Sequence, residues 1–198
     1  MRNRIIRFLN ELPSAFSTNE LAFYALTNKF ELHLRDKLAY RLQLQYPKLQ
    51  VLREWNNIDI SIHKDETIRS LIEIKYSHVA YILRQRFPEK IRILQYLLKD
   101  YSKCCEIDNN WHGILFLSCP KKKIGVKYKK QVKGFSTLNK YSELYKTERQ
   151  WRVNLKRIIV DHFFDEKKFR VKSNTLNIGS WFGTPVDLIW FLISAKKF

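Results

Sequence analysis

Glycine, proline and cysteine are all scarce in this chain of 198 residues, which holds five, five and three of them. With so little glycine and proline there is no flexible or proline-rich linker. No internal repeat or low-complexity stretch divides the chain either, so one compact domain overall is expected. Three cysteines (Cys104, Cys105 and Cys119) cannot build a disulfide framework, and a vicinal pair is not a zinc-site spacing. They read as buried, reduced thiols of a cytoplasmic protein. No apolar run approaches the length of a membrane span. The opening "MRNRIIRFLNEL" is interrupted by Arg7 and Asn10, which suits a short amphipathic helix rather than a signal peptide. Acidic residues are the other shortage: 19 Asp and Glu face 37 Lys and Arg, a net charge of +18. That excess selects a polyanionic partner, nucleic acid ahead of an acidic membrane surface. The membrane is the weaker reading, because the densest basic run has no amphipathic apolar anchor beside it.

What is abundant is apolar and aromatic material: 45% of residues, including 13 Phe, 10 Tyr and 5 Trp. This excludes disorder as the dominant state. "STNELAF" carries a capping-box pattern, Ser17 with Glu20. Apolar residues then recur at Phe23, Leu26, Phe30, Leu34, Leu38 and Leu42 up to Pro47, so a helix is expected from about 18 to 45, with room for a break inside it. Three strands should follow: "VLREW" (51–55), "IDISI" (58–62) and "IRSLIEIKY" (68–76), the last two joined by a polar turn at 63–67. "PEKIRILQYLLKDYSKC" reads as a helix with Pro88 at its start and Ile91, Leu94, Leu98 and Tyr101 or Ser102 along one face. "GILFLSC" (113–119) reads as a fully buried strand, and a further helix is expected over roughly 139–164. "VDLIWFLISA" near the end fits either a buried strand or a short core helix.

The chemistry concentrates in "LIEIKYS" (71–77). Leu71, Glu73 and Lys75 share one strand face and Ile72, Ile74 and Tyr76 the other. Asp59, on the neighbouring strand, should lie about 5 Å from Glu73 across the pair. Two carboxylates that close repel unless a shared proton or a divalent cation intervenes, and all-oxygen donors suit Mg²⁺, with Mn²⁺ as a substitute. Lys75, on the same face, could orient a water and offset charge on a phosphate. The competing reading is a surface hairpin whose Glu73 and Lys75 are exposed residues of a half-buried sheet. A second Glu-x-Lys, Glu166 with Lys168, has no strand-borne Asp before it and is attributed to chance.

The helix carrying a Glu, then Asp59 in "NIDIS", then Glu73-Ile74-Lys75 in "LIEIK", resembles the PD-(D/E)XK nuclease superfamily. The resemblance covers residues 18–119 and implies a restriction-endonuclease-like fold: an α/β αβββαβ core with a mixed central sheet flanked by helices. It departs from the family pattern where Ile58 replaces the motif's Pro, and no Gln-x-x-x-Tyr follows the motif. It divides the chain into a nuclease-like core with an N-terminal helix (1–120) and a basic C-terminal extension packed on it (121–198). The family implies a metal-dependent DNA endonuclease of restriction or defence type, with Asp59, Glu73 and the Ile74 carbonyl as Mg²⁺ ligands, Lys75 as the catalytic cation and a helix Glu completing the site. Glu31, at the edge of the sheet-packing face, is preferred over the capping residue Glu20. Cutting both strands of duplex DNA requires two sites, hence a homodimer. Junction-resolving or RNA-directed cleavage with the same site, and a non-catalytic nucleic-acid binder of the same fold, are the alternatives.

Nucleic acid would be held by the basic segment "KKKIGVKYKKQVK". No acidic residue occurs between Asn109 and Ser142, while eight Lys do. Lys121, Lys122, Lys123, Lys127, Lys129, Lys130 and Lys133 alternate with Ile124, Val126 and Tyr128, as in a basic hairpin or arm along a phosphate backbone. Arg149, Arg152 and Lys156 would extend that surface from the following helix. His63, Tyr76 and His78 read as turn or packing residues more than ligands. Trp111, Trp151, Trp181 and Trp190 could stack bases but are expected mostly in the core.

Overall fold

A computed structural model describes residues 1–27, 30–84, 91–107, 110–142, 155–160 and 168–196. The N-terminal helix α1 (Arg2–Asn10) is amphipathic as expected and buries Ile5, Ile6, Phe8 and Leu9. The expected single helix over 18–45 is two, α2 (Glu20–Thr27) and α3 (Phe30–Gln45). Their apolar residues keep a spacing of four from Leu26 through Phe30, Leu34, Leu38 and Leu42, all buried, so the periodicity gave no sign of the interruption. The helix opens at Glu20 rather than residue 18 because Asn19 sits in the left-handed region, at φ 66°. Glu20 caps as anticipated, accepting from the Ser17 amide at 2.9 Å and its hydroxyl at 2.6 Å.

A meander of β1 (Gln50–Trp55), β2 (Ile58–Lys64) and β3 (Thr67–His78) follows. Its two turns are Asn56–Asn57 and Asp65–Glu66, all four residues at positive φ, the left-handed geometry that two-residue hairpins favour. The turn expected at 63–67 therefore shrinks to two residues, and His63, Lys64 and Thr67 join the strands. Next come α4 (Val79–Leu83), which no sequence signal announced, and α5 (Arg92–Cys105); Pro88 lies outside the described residues. The buried residues of α5 are Leu94, Leu97 and Cys104, so its inward face is rotated from the one read through Leu98.

Strand β4 (Trp111–Pro120) is buried throughout and runs parallel to β3. Helix α6 (Phe135–Tyr141) and a helical stretch at 155–160 account for the described parts of the helix expected over 139–164; the rest of that span lies outside the described residues. A final hairpin, β5 (Phe169–Trp181) and β6 (Thr184–Ala195), settles the C-terminal ambiguity in favour of a strand. The protein is thus α/β, with a six-stranded mixed sheet in the order β1-β2-β3-β4-β6-β5 flanked by helices. β6 inserts beside β4, so residues 184–195 belong to the centre of the sheet.

Each face of the sheet supports an apolar layer. On one, α1, α2 and α3 cover Ile60, Ile62, Ile72, Ile74, Phe116 and Trp190. On the other, α5 and residues 155–160 cover Leu71, Leu115, Leu117, Phe191 and Ile193. That double covering explains why β4 and β6 are continuous apolar runs rather than alternating ones. Among the described residues no helix is long and apolar enough to cross a membrane.

Candidate active site

The site exists because β3 outlasts β2. Their pairing runs from Lys64↔Thr67 to Ile60↔Ile72 and stops. One more step would set Asp59 opposite Glu73. Instead the strands splay: Glu54 of β1 turns to φ 54°, and Ile58 packs into the α5-side layer while Ile60 and Ile62 pack into the opposite one. The backbone amides of Ile74 and Tyr76 point toward the edge that β2 has left. Each is met by a carboxylate: the Ile74 N–H donates to Asp59 Oδ2 at 2.8 Å, and the Tyr76 N–H donates to Glu31 Oε1 from α3. Two acidic side chains thus replace a strand, since a buried amide left without an acceptor would cost about 1–3 kcal/mol.

Glu73 and Lys75 project between this edge and α5. Glu73 is buried and Lys75 partly so. Lys75 Nζ lies 3.4 Å from Glu73 Oε2 and 2.8 Å from Asp100 Oδ2 of α5. Burial, and next the charge of Asp59, push the Glu73 carboxyl up to about 8, with Lys75 pulling the other way. Glu31 is also held above the usual carboxylate range by burial, against the pull of the Tyr76 amide and Lys75. For Lys75 burial works against the charge, but Asp100, Glu73 and Asp59 outweigh it and raise the ammonium above its ordinary value. The structure therefore brings together Asp59, Glu73, Lys75 and Glu31, the four residues singled out in the sequence, and shows Glu20 to be a helix cap instead.

Asp100 was missed. Its signal is an acid three residues after Leu97 and four before Cys104, within the buried stripe of an amphipathic helix, where a carboxylate needs a partner. Also unanticipated is a buried polar cluster behind the site. The Tyr76 hydroxyl donates to the Ala25 carbonyl and lies 2.7 Å from Ser118 Oγ, which in turn lies 2.5 Å from His78 Nδ1. Burial holds the His78 imidazole down to about 4, so it is neutral at physiological pH. His63 is likewise a strand residue, 3.0 Å from Ser61 Oγ.

The basic segment is neither hairpin nor arm. Ile124 and Val132 are buried in the layer under α1–α3, and the Asn139 side chain of α6 bonds both the amide and the carbonyl of Ile124, pinning the segment as a strap. A backbone clamped to the core this way has no strand partner to form a hairpin with. All seven of its lysines are exposed, but Lys121 pairs with Asp187 at 3.0 Å. Lys133 acts through its charge on Glu31 and on His78. Lys156 lies over β5 on the other side of the sheet's centre, away from the splay. Arg149, Arg152 and Trp151 lie outside the described residues. Trp111 and Trp190 are fully buried and unable to stack a base, whereas Trp181 is 39% exposed.

Beyond Lys75 on the same strand face, a cavity of about 720 Å³ opens between the end of β3, α4 and the start of α5. Ser77, Arg84, Arg92, Tyr81 and Tyr96 line it. Two guanidinium groups and two phenol rings thus face the same space.

Among the described residues, no group of three or more His, Cys, Asp or Glu is arranged around a common metal position. The donors expected of a divalent cation were fewer: two carboxylates and a carbonyl. Asp59 and Glu73 interact directly, and Ile74 turns its amide to the same edge, which in a strand turns its carbonyl there as well. Asp59 accepts from the Ile74 amide with one oxygen and also meets the Glu73 carboxyl. Burial first, and the charge of Asp59 second, hold the Glu73 carboxyl near 8, and the oxygen donors gathered here are of the kind a hard cation takes. Compared with family models, curated proteins and solved structures, the chain matches none of them.

Proposed function

We propose that this protein is a metal-dependent nuclease that hydrolyses phosphodiester bonds, with double-stranded DNA as its substrate. The reading rests above all on one observation: Asp59, Glu73, Lys75 and Glu31 converge where β2 leaves β3. The order of elements supports it. A helix bearing Glu31, an antiparallel β1-β2-β3 meander, a helix bearing Asp100 and a strand β4 parallel to β3 follow the αβββαβ plan of the restriction-endonuclease-like fold.

Asp59, Glu73 and the Ile74 carbonyl would hold Mg²⁺, which supplies Lewis-acid stabilisation of negative charge on a phosphate oxygen. Asp100 and Glu73 fix the Lys75 ammonium, which orients the attacking water and donates to a non-bridging oxygen as charge builds there. Glu31 fixes the backbone of Tyr76 and so the path of β3. The water oxygen bonds to phosphorus as its proton passes to solvent, the bond to the 3′ oxygen breaks, and that oxygen takes a proton from solvent and leaves as a hydroxyl. Arg84 and Arg92 in the adjoining cavity, with Lys133 of the strap, provide cations for the flanking phosphates. Cutting both strands would take a homodimer.

The test is incubation of the purified chain with plasmid DNA, a four-way junction and structured RNA, each in Mg²⁺, Mn²⁺ or EDTA. Metal-dependent cutting should fall by about 10²-fold or more in Asp59→Ala and Lys75→Ala. Cutting that is unchanged in both variants, or in EDTA, rejects the mechanism; a gel shift with no cutting under any metal favours a binding protein of the same fold.

A further inference from the structure

A second site lies at the other end of β3, on the opposite face of the sheet. His112 of β4, Ser194 of β6 and Arg170 of β5 are cross-strand neighbours, and His112 Nδ1 is 2.8 Å from Ser194 Oγ. Arg69 joins them because the β2–β3 pairing passes from Ile62↔Ser70 to His63↔Ile68 and skips it, a bulge that re-aims its side chain. Arg2, in the first turn of α1, completes a cavity of about 450 Å³ whose lining, among the described residues, holds three arginines and no acid. None of the three makes an ion pair with a described residue. Arg2 Nε is buried and lacks a hydrogen-bond partner among the described residues.

Three guanidinium groups lining one cavity, with no counter-charge among the described residues, repel one another, more weakly at Arg69 and Arg170, which are exposed, and a buried donor such as Arg2 Nε without an acceptor is costly. Both deficits are removed by one kind of ligand, an oxyanion accepting several N–H bonds in the forked geometry arginine favours. The first turn of α1 adds its positive dipole end on the same side. The cavity is too large for a bare oxyanion and falls in the range of small-molecule sites. Met1 and Ala195 add apolar wall.

We infer that this cavity binds the phosphate group of a nucleotide, carried by a free nucleoside monophosphate or by a strand of nucleic acid. It stands independently of the nuclease reading, since the sheet separates its side chains from Glu73 and Lys75.

Calorimetry and thermal melting of the full chain in EDTA test the assignment and keep the carboxylate site out of it. Adenosine 5′-monophosphate should bind and raise the melting temperature, while adenosine should do neither. The double variant Arg69→Gln/Arg170→Gln should weaken binding about tenfold or more. Arg7→Gln, on the exposed face of α1, should leave it unchanged. Without ligand the double variant should melt no lower than the wild type, because it relieves repulsion. An oligothymidylate that competes with the monophosphate, with the same loss in the double variant, identifies the strand as the source; failure to compete identifies the free nucleotide. Equal binding of adenosine, unaltered affinity in the double variant, no binding of any phosphate probe, or a double variant that melts several degrees lower unliganded would each overturn the proposal.

Discussion

Strands β4 and β6 stay paired over nine residue pairs, from His112↔Ser194 to Pro120↔Val186, whereas β2 and β3 part after Ile60↔Ile72. In the first case the two strands supply each other's backbone partners along the shared register, and the side chains are free to be apolar on both faces. In the second, two amides would be left at a buried edge, and Asp59 and Glu31 answer them. The acids of this basic protein collect where the sheet stops supplying its own acceptors. Burial there, and after it the nearby charge of Asp59, raise the affinity of Glu73 for a proton. Interrupted pairing thus creates a candidate site for chemistry, and continued pairing creates the core that holds it still.

The comparison can be broken from the core side with the largest effect. Trp190→Ala, within the continuous pairing, should cost about 3–5 kcal/mol in denaturant unfolding while leaving the candidate site's cation binding intact at low temperature. At the splay, Glu31→Ala should cost about 1–3 kcal/mol by orphaning the Tyr76 amide, and Glu31→Gln, which keeps an acceptor, should recover most of it. Equal losses in the two variants would mean that the carboxylate does not stand in for a strand.

The pH dependence sharpens the contrast further. Glu73 is held above its unfolded value, up to about 8, so the folded protein binds the extra proton between roughly 4.5 and 8. Stability from this group is complete below that window and is lost as pH rises through it. Divalent-cation affinity should move oppositely, tightening about tenfold per pH unit below 8 as the proton is displaced, and Glu73→Gln should abolish both trends. Calorimetric titration of Mn²⁺ from pH 6 to 8 is the measurement. The smallest effect belongs to the strap. Lys127→Gln, Lys129→Gln and Lys130→Gln should each lower the salt slope of duplex DNA binding by about 0.9, whereas Lys156→Gln, across the sheet from the splay, should not change it.

Much of this was legible from local pattern. The strands around Asp59 and Glu73 alternate at a period of two, and Ser17, Glu20 and Pro47 punctuate the helices, because these signals depend on neighbours a few residues away. Strand β5 escaped notice because it is an edge strand with Arg170, Lys172 and Asn174 among sparse apolar residues, and an edge needs only one covered face. Helix α4 is too short for a period to register. Asp100 was hidden for another reason: an acid on a helix looks solvated until the helix is packed and its partner, twenty-five residues earlier, is seen.

By itself the amino-acid order determined that this is an α/β protein with a strongly basic surface and an Asp–Glu–Lys set on adjacent strands. Tertiary structure alone decided that β4 runs parallel to β3, that β6 enters the sheet before β5, that Asp100 grips Lys75, and that three distant arginines share one cavity. Periodicity and capping are written within a turn or two of chain. Pairing partners and charge neighbours are chosen by which surfaces can be buried together, a condition that only the whole packed chain satisfies.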